Sequence, residues 1–417
     1  MFPSLPIVSG SSVGLNAGNY IGNDLTRFSP RLGFAYTPLG SNRLVVRGGY
    51  GVYYDYMPWK FGSWWTALQP PWSGSVSYEP QAGSTPTLTF DNAFPTGAGS
   101  VPSAVSVYAV ARNYHYPMSN EWNFTLESQL TNDTAVRATY FGVETEHAGA
   151  FFNLNDPVPA AGPVQPRRPY QPFGSITLVE NGESRNEQSL QLALTRRFST
   201  GLSFDLEYSW TKALTGSLYD QTAPVDNQNI RLDRGNDPNI RHHDLVANYV
   251  YNLPFGNGQR YLSTLRGPLD AILGGWATSG IVTLGSGLPF SVGFTSSVVG
   301  WPSSRADKVG NPSVPNPSIL QWFNSAAFTL PQQFTFGNSA PYSLFGPGIK
   351  NWDMSVFKTF RMTERFRLEF RSDFFNTLNH PSFSNPSANI SVPTQVGQIF
   401  GTTSSPRSIQ FALRLTF

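Results

Sequence analysis

The chain has 417 residues, enough for one large barrel or two to three ordinary globular domains. Charged residues make up 13%, about half the usual soluble share, while aromatic residues reach 14%, so lipid or a very large core must cover the surface. The net charge of +2 comes without any basic run, which leaves phosphate neutralisation on nucleic acid unsupported. With no cysteine, disulfides and thiolate metal sites are excluded.

No run of about 18 apolar residues exists, which excludes a transmembrane helix. The opening Met1-Phe2-Pro3-Ser4-Leu5-Pro6 has neither the positive nor the apolar region of a signal peptide. For a protein outside the inner membrane that would be a defect: either the sequence is a fragment or such a placement is wrong.

Alternation with period two predicts eleven strands, taken in chain order: 31–37, 44–54, 121–130, 134–142, 189–198, 202–211, 243–252, 275–284, 351–359, 365–376 and 408–417. In the sixth, Leu202, Phe204, Leu206, Tyr208 and Trp210 oppose Asp205, Glu207 and Thr211. In the last, Ile409, Phe411, Leu413, Leu415 and Phe417 oppose Gln410, Arg414 and Thr416. Segment 275–284 alternates poorly. The polar face carries ions of both signs, including Arg47, Arg137, Asp205, Glu207, Arg371 and Asp373.

A soluble sandwich would alternate as well, so the connections decide. Those at 38–43, 131–133, 199–201, 253–274 and 360–364 are short. Those at 55–120, 143–188, 212–242, 285–350 and 377–407 are long. Strict short–long alternation is the sidedness of an outer-membrane barrel, with tight periplasmic turns and long external loops. Compact soluble domains rarely carry five loops beyond about 15 residues. The predicted fold is therefore all-β, an antiparallel transmembrane β-barrel in the cell outer membrane. Its last strand follows a long loop and runs inward; counting back, so does the first. A complete single-chain bacterial barrel has an even strand number, so at least one strand is expected ahead of residue 31.

Several ordered segments resemble the barrel of TonB-dependent receptors of the Oar-like group, which usually carry an N-terminal carboxypeptidase-regulatory-like domain. They are Ser29-Pro30-Arg31-Leu32-Gly33-Phe34-Ala35-Tyr36, Arg47-Gly48-Gly49-Tyr50-Gly51-Val52-Tyr53-Tyr54, Arg241-His242-His243-Asp244 leading to Leu253-Pro254-Phe255-Gly256, Gly274-Gly275-Trp276, Ser286-Gly287-Leu288-Pro289-Phe290, Phe375-Asn376-Thr377-Leu378-Asn379-His380-Pro381 and Pro406-Arg407. The resemblance runs from about residue 29 to 417. It implies a barrel of 22 strands, the size class with a plugged lumen. Residues 1–417 are then the C-terminal half of that barrel, and the plug, TonB box and regulatory-like domain have no counterpart in the chain.

Candidate chemistry is sparse. His242, His243 and Asp244 form the one cluster resembling a metal or acid–base site. Neighbouring strand residues point to opposite faces, so the two histidines cannot share an ion from regular strand geometry. A structural role is the reading for them. No nucleophile motif, phosphate-cradling loop or dinucleotide fingerprint occurs, and neither enzyme activity nor a cofactor is predicted. Trp59, Trp64, Trp65 and Trp72 gather in the first long loop, where rings could stack on a ligand or pack the loop itself. The set Ile409, Phe411, Leu413, Leu415 and Phe417 resembles the signal read by the barrel assembly machinery in outer-membrane barrels. The functional expectation is a receptor/transporter barrel segment for an unidentified large solute, with TonB engaged only through the missing plug. A passive porin-like channel and a structural or adhesive surface protein are the alternatives.

Overall fold

Runs of β-branched and aromatic residues on one face of each segment favour a pleated, half-covered surface, and the chain answers with one long antiparallel wall. The computed structural model describes Ser12 and residues 27–38, 43–55, 90–92, 104–216, 224–296 and 304–417. The wall strands are β1 (Arg31–Tyr36), β2 (Leu44–Tyr54), β3 (Met118–Gln129), β4 (Thr134–Asn153), β5 (Phe173–Ser199) and β6 (Leu202–Thr215). They continue as β7 (His243–Asn252), β8 (Trp276–Gly285), β9 (Ile349–Arg361), β10 (Arg367–Phe375) and β11 (Ser408–Thr416). Each pairs antiparallel with its neighbour in sequence, giving a meander from β1 to β11. The connections after β2, β4, β6, β8 and β10 therefore emerge at one end and those after β1, β3, β5, β7 and β9 at the other, where all but 253–275 are short.

The structure moves several predicted boundaries. The fourth strand, predicted to stop at 142, runs on to Asn153, and the fifth, predicted from 189, begins at Phe173. The connection expected over 143–188 thus narrows to 154–172. Apolar alternation is required only where a strand faces lipid, so a pattern search stops short when the ladder continues beyond the bilayer. The loop expected over 55–120 contains a further strand, Val105–Val110, which pairs parallel with the start of β5. The strand expected over 365–376 shortens to Arg367–Phe375, because Met362 N–H and Thr363 N–H both donate to the carbonyl of Phe366 and close a turn.

Register carries the faces across the wall. One row reads Phe34–Gly48–Phe124–Tyr140–Leu190–Trp210, and another Val136–Leu194–Leu206–Ala247–Val282–Trp352. This apolar face is continuous from edge to edge. The opposite face carries Arg47, Glu127, Arg137, Glu207, Asp353 and Arg371 among small and polar residues. Among the described residues β1 pairs only with β2 and β11 only with β10, so the wall is not closed. Ten reversals separate these edges, and both run in the same direction.

No helix among the described residues is long and apolar enough to cross a membrane, a statement that leaves strands untouched. One short helix, α1 (Pro268–Leu273), lies in the connection between β7 and β8.

Candidate functional site

The polar face is built by alternation, every second residue of each strand projecting onto it. At its centre Arg47 pairs with Glu127 at 3.2 Å and Arg137 with Glu207 at 3.6 Å. Glu127, Arg137, Ala193 and Glu207 occupy one register row. Arg137 therefore crosses β5 above Ala193, a side chain short enough to let it pass. Two clefts flank this crossing. One of about 370 Å³ is lined by Glu127, Asp133, Arg137 and Arg197; one of about 270 Å³ by Arg137, Glu207, Tyr208 and Asp244. Farther along, Arg371 contacts Asp373 at 2.7 Å, and Ser355 donates to the same carboxylate. In the short turn 130–133, hydroxyl groups of Thr131 and Ser199 hold the Asp133 carboxyl down at about 2.

At the other end the long connections pack into a shared cap. Phe290, Val292, Ala306, Phe323, Ala327 and Phe328 form a buried apolar cluster, against which Ala388, Ile390 and Val396 pack. The fourth and fifth long connections therefore share one core. Arg305 of the fourth pairs with Asp233 of the third at 2.6 Å, both side chains nearly buried at 11% and 13% exposure. Burial pushes the Asp233 carboxyl above its ordinary range despite Val225 N–H and Arg305. Asn236 donates to Tyr342 O at 2.8 Å, and Asn227 to Asn153 O at 2.7 Å. Arg185 on β5 reaches Asp237 at 3.2 Å and Glu187 at 2.8 Å. Tyr114, Phe151 and Val179 bury a second small cluster where the first long connection meets β4 and β5. The Tyr114 hydroxyl is pushed up to about 12, mainly by burial.

The histidines separate. His243 lies beside Tyr208, whose hydroxyl is 2.8 Å from Nδ1, and stacks near the Trp210 ring. His242 packs on Phe345 with ring centroids 4.7 Å apart, and burial lowers its pKa, helped by His243 and Lys212. Asp244 lines the second cleft. Among the described residues no three histidine, aspartate or glutamate side chains gather as a metal site. Trp59, Trp64, Trp65 and Trp72 lie outside the described residues. Ile409, Phe411, Leu413 and Leu415 align on one exposed face of β11, opposite Phe374, Ser372, Phe370 and Leu368, and the Phe417 ring is 6.4 Å from that of Phe366.

Sequence reasoning missed the cap. Its ties join residues as far as 106 positions apart, and nothing in local pattern marks Arg305 as a partner of Asp233.

A continuous antiparallel meander with one apolar and one ion-bearing face, and its folded cap at one end, defines an outer-membrane β-barrel wall. The sequence matches the outer membrane beta barrel domain over residues 6–410, and the chain belongs to that family. Its place is the cell outer membrane. Among solved structures it is similar to the outer membrane transporter YddB from Escherichia coli, with TM-score 0.51 and 10% identity over 93% of this chain and 40% of that one. The siderophore receptor PiuA from Acinetobacter baumannii gives TM-score 0.44 and 8% identity, over 92% of this chain and 35% of its own. The FrpB iron transporter from Neisseria meningitidis gives 0.43 and 9%, over 92% and 38%. At such identities the likeness is one of fold, and the chain spans about two-fifths of YddB. No curated protein matches it by sequence.

Proposed function

We propose that the chain is the C-terminal half of a 22-stranded TonB-dependent receptor barrel of the Oar-like type, taking up a large solute rather than catalysing a reaction. The observation that carries this reading is the pairing of an ion-bearing wall with a cross-tied cap. A lumen lined by Arg47, Glu127, Arg137 and Glu207 suits water and a polar plug, while the cap offers a preformed external surface for a solute. The short-turn end is then periplasmic and the cap external. TonB would act through a plug carried elsewhere in the parent protein, which would also bear the regulatory-like domain. The face Ile409–Phe417 would engage the barrel assembly machinery, and Trp59, Trp64, Trp65 and Trp72 are candidates for solute contact.

The test is to express the parent gene with its upstream coding sequence and measure conductance with and without the segment preceding this chain. A plug that silences the pore, with solute uptake abolished by dissipating the proton-motive force, supports the receptor. A freely conducting pore with no plug-like segment supports the passive channel instead.

A further inference from the structure

The connection between β7 and β8 is far longer than the other turns at its end, and it is folded. Tyr261 N–H donates to Pro254 O at 2.9 Å, Gly256 N–H to Tyr261 O at 3.0 Å, and Asn257 N–H to Asp270 Oδ1 at 2.7 Å. The Phe255 and Tyr261 rings meet at 5.7 Å. A Cβ on Gly256 would stand 2.6 Å from the Gly274 Cα, so the two ends of the connection touch backbone to backbone.

Two wall side chains fix where α1 lies. The Trp276 indole N–H donates to Ile272 O at 2.8 Å, and the Lys358 ammonium donates to the carbonyls of Ala271 and Gly274. Trp276, Lys358, Phe370 and Leu413 occupy one register row of the apolar face, and the Trp276 and Phe370 rings meet edge to face at 6.0 Å. The helix is thus held from the apolar side of the wall, not from the polar side. Along β9, Lys358 follows Trp352, Met354 and Val356 on that face with only Phe360 beyond it, so it lies near the turn end of the wall, its buried ammonium taken up by the helix carbonyls. Lys358 supplies cationic donors to the helix's terminal carbonyls at that end. The helix presents Leu269, Ile272 and Leu273 outward at 59%, 62% and 48% exposure. Exposed Arg260 and Arg266 flank them in the same connection.

We propose that α1 is an interfacial anchor whose partner is phospholipid of the periplasmic leaflet. Leu269, Ile272 and Leu273 enter the upper acyl region, and Arg260 and Arg266 meet headgroup phosphates. The surface is continuous with the lipid-facing wall, and the inference rests on the membrane-spanning reading of that wall.

The chain contains no cysteine, so single-cysteine variants report one position each. Ile272→Cys, Val282→Cys and Asn257→Cys, each in the full chain and carrying a nitroxide, are compared in bicelles of phosphatidylethanolamine and phosphatidylglycerol, whose detergent rim tolerates a sheet edge. Collision with oxygen reads lipid exposure, and collision with a water-soluble nickel chelate reads water exposure. The anchor requires the label at 272 to favour oxygen, at a depth between Val282 in the wall and Asn257 in the turn, and Leu269→Cys to repeat it. A label at 272 as open to nickel as at 257, with 282 still shielded, overturns the anchor and leaves the wall reading intact. Shielding of 272 from both reagents means that it packs on protein, which also overturns it. Nickel access at 282 removes the wall from the membrane and the anchor with it.

Discussion

Arg305 and Asp233, 72 residues apart, join the third and fourth long connections through a 2.6 Å contact that is almost out of water. Such a pair gains little over an apolar substitute, but removing one partner strands the other. Arg305→Met should therefore weaken the cap by about 3–5 kcal/mol, while the double change with Asp233→Leu should restore most of it. Hydrogen exchange over 224–242 and 304–348 reads both.

The same carboxylate sets a pH dependence. Its folded pKa is raised by burial, so the folded cap binds the proton more tightly than the open one. This contribution is present below the ordinary aspartate range and fades as pH rises through the raised value. Cap protection should be stronger in mild acid than at neutrality, and Asp233→Asn should flatten the difference. A cap that loosens on acidification in the native protein but not in Asp233→Asn would reverse the sign and refute the argument.

Arg137 and Glu207 make the opposite case. Their side chains are 51% and 69% exposed, so water screens the pair. Arg137→Met should shift unfolding by less than about 1 kcal/mol, and high salt should leave the native midpoint nearly unchanged. The place to look for its effect is ion selectivity of the parent pore.

Gly256 and Gly258 both have positive φ, but only Gly256 faces another backbone. Gly258→Ala meets nothing within 4 Å and should cost about 1–2 kcal/mol from its left-handed conformation alone. Gly256→Ala adds a clash with Gly274 and should cost about 3 kcal/mol or more. Denaturant midpoints of the two variants rank them, and equal midpoints would deny the backbone contact its importance.

Much of the wall was legible in the sequence because a lipid boundary imposes alternation on each strand. Even the poorly alternating segment expected over 275–284, blurred by Thr278, Ser279 and Gly280, is β8 at Trp276–Gly285. What alternation could not reach were the upper halves of β4 and β5. There Ala150, Phe151 and Phe152 are buried in succession, Phe151 against Tyr114 and Phe152 over Gly182, so no apolar–polar alternation marks them. Helix α1 escaped for another reason: six residues make fewer than two turns, too few to repeat a pattern, and its position depends on Lys358, 84 residues after Gly274. Nor does local pattern bring the segments Leu253–Gly256 and Gly274–Trp276 together, whereas in the fold Gly256 lies against Gly274.

If the terminal face is the proposed assembly signal, Phe417→Ala or deletion of Phe417 should slow membrane insertion while synthesis is unaffected. Heat-modifiable folded barrel accumulating at the normal rate would show that the terminal ring is no assembly signal.

The two wall edges run in the same direction, so antiparallel closure of β11 on β1 is impossible. An edge strand of about ten residues leaves on the order of five N–H and five C=O groups unpaired, each costing several kcal/mol in lipid, against a folding stability of about 5–15 kcal/mol. The isolated chain should give no discrete, long-lived conductance in planar bilayers. A uniform pore with a protease-resistant band at full length would contradict this.

Strand length is unequal around the wall: β5 has 27 residues and β4 has 20, whereas β10 and β11 have nine each. Crossing a bilayer takes about 9–11 strand residues. The difference between β5 and β11, 27 − 9 = 18 residues, corresponds to roughly 60 Å of strand at about 3.3 Å per residue. The rim is therefore of two kinds, a hydrogen-bonded palisade on the β4–β5 side and the folded connections around Phe290, Phe323 and Ile390 on the β8–β11 side. Stiffness then differs around the rim: a backbone ladder holds the β4–β5 side in place, and packed side chains hold the other.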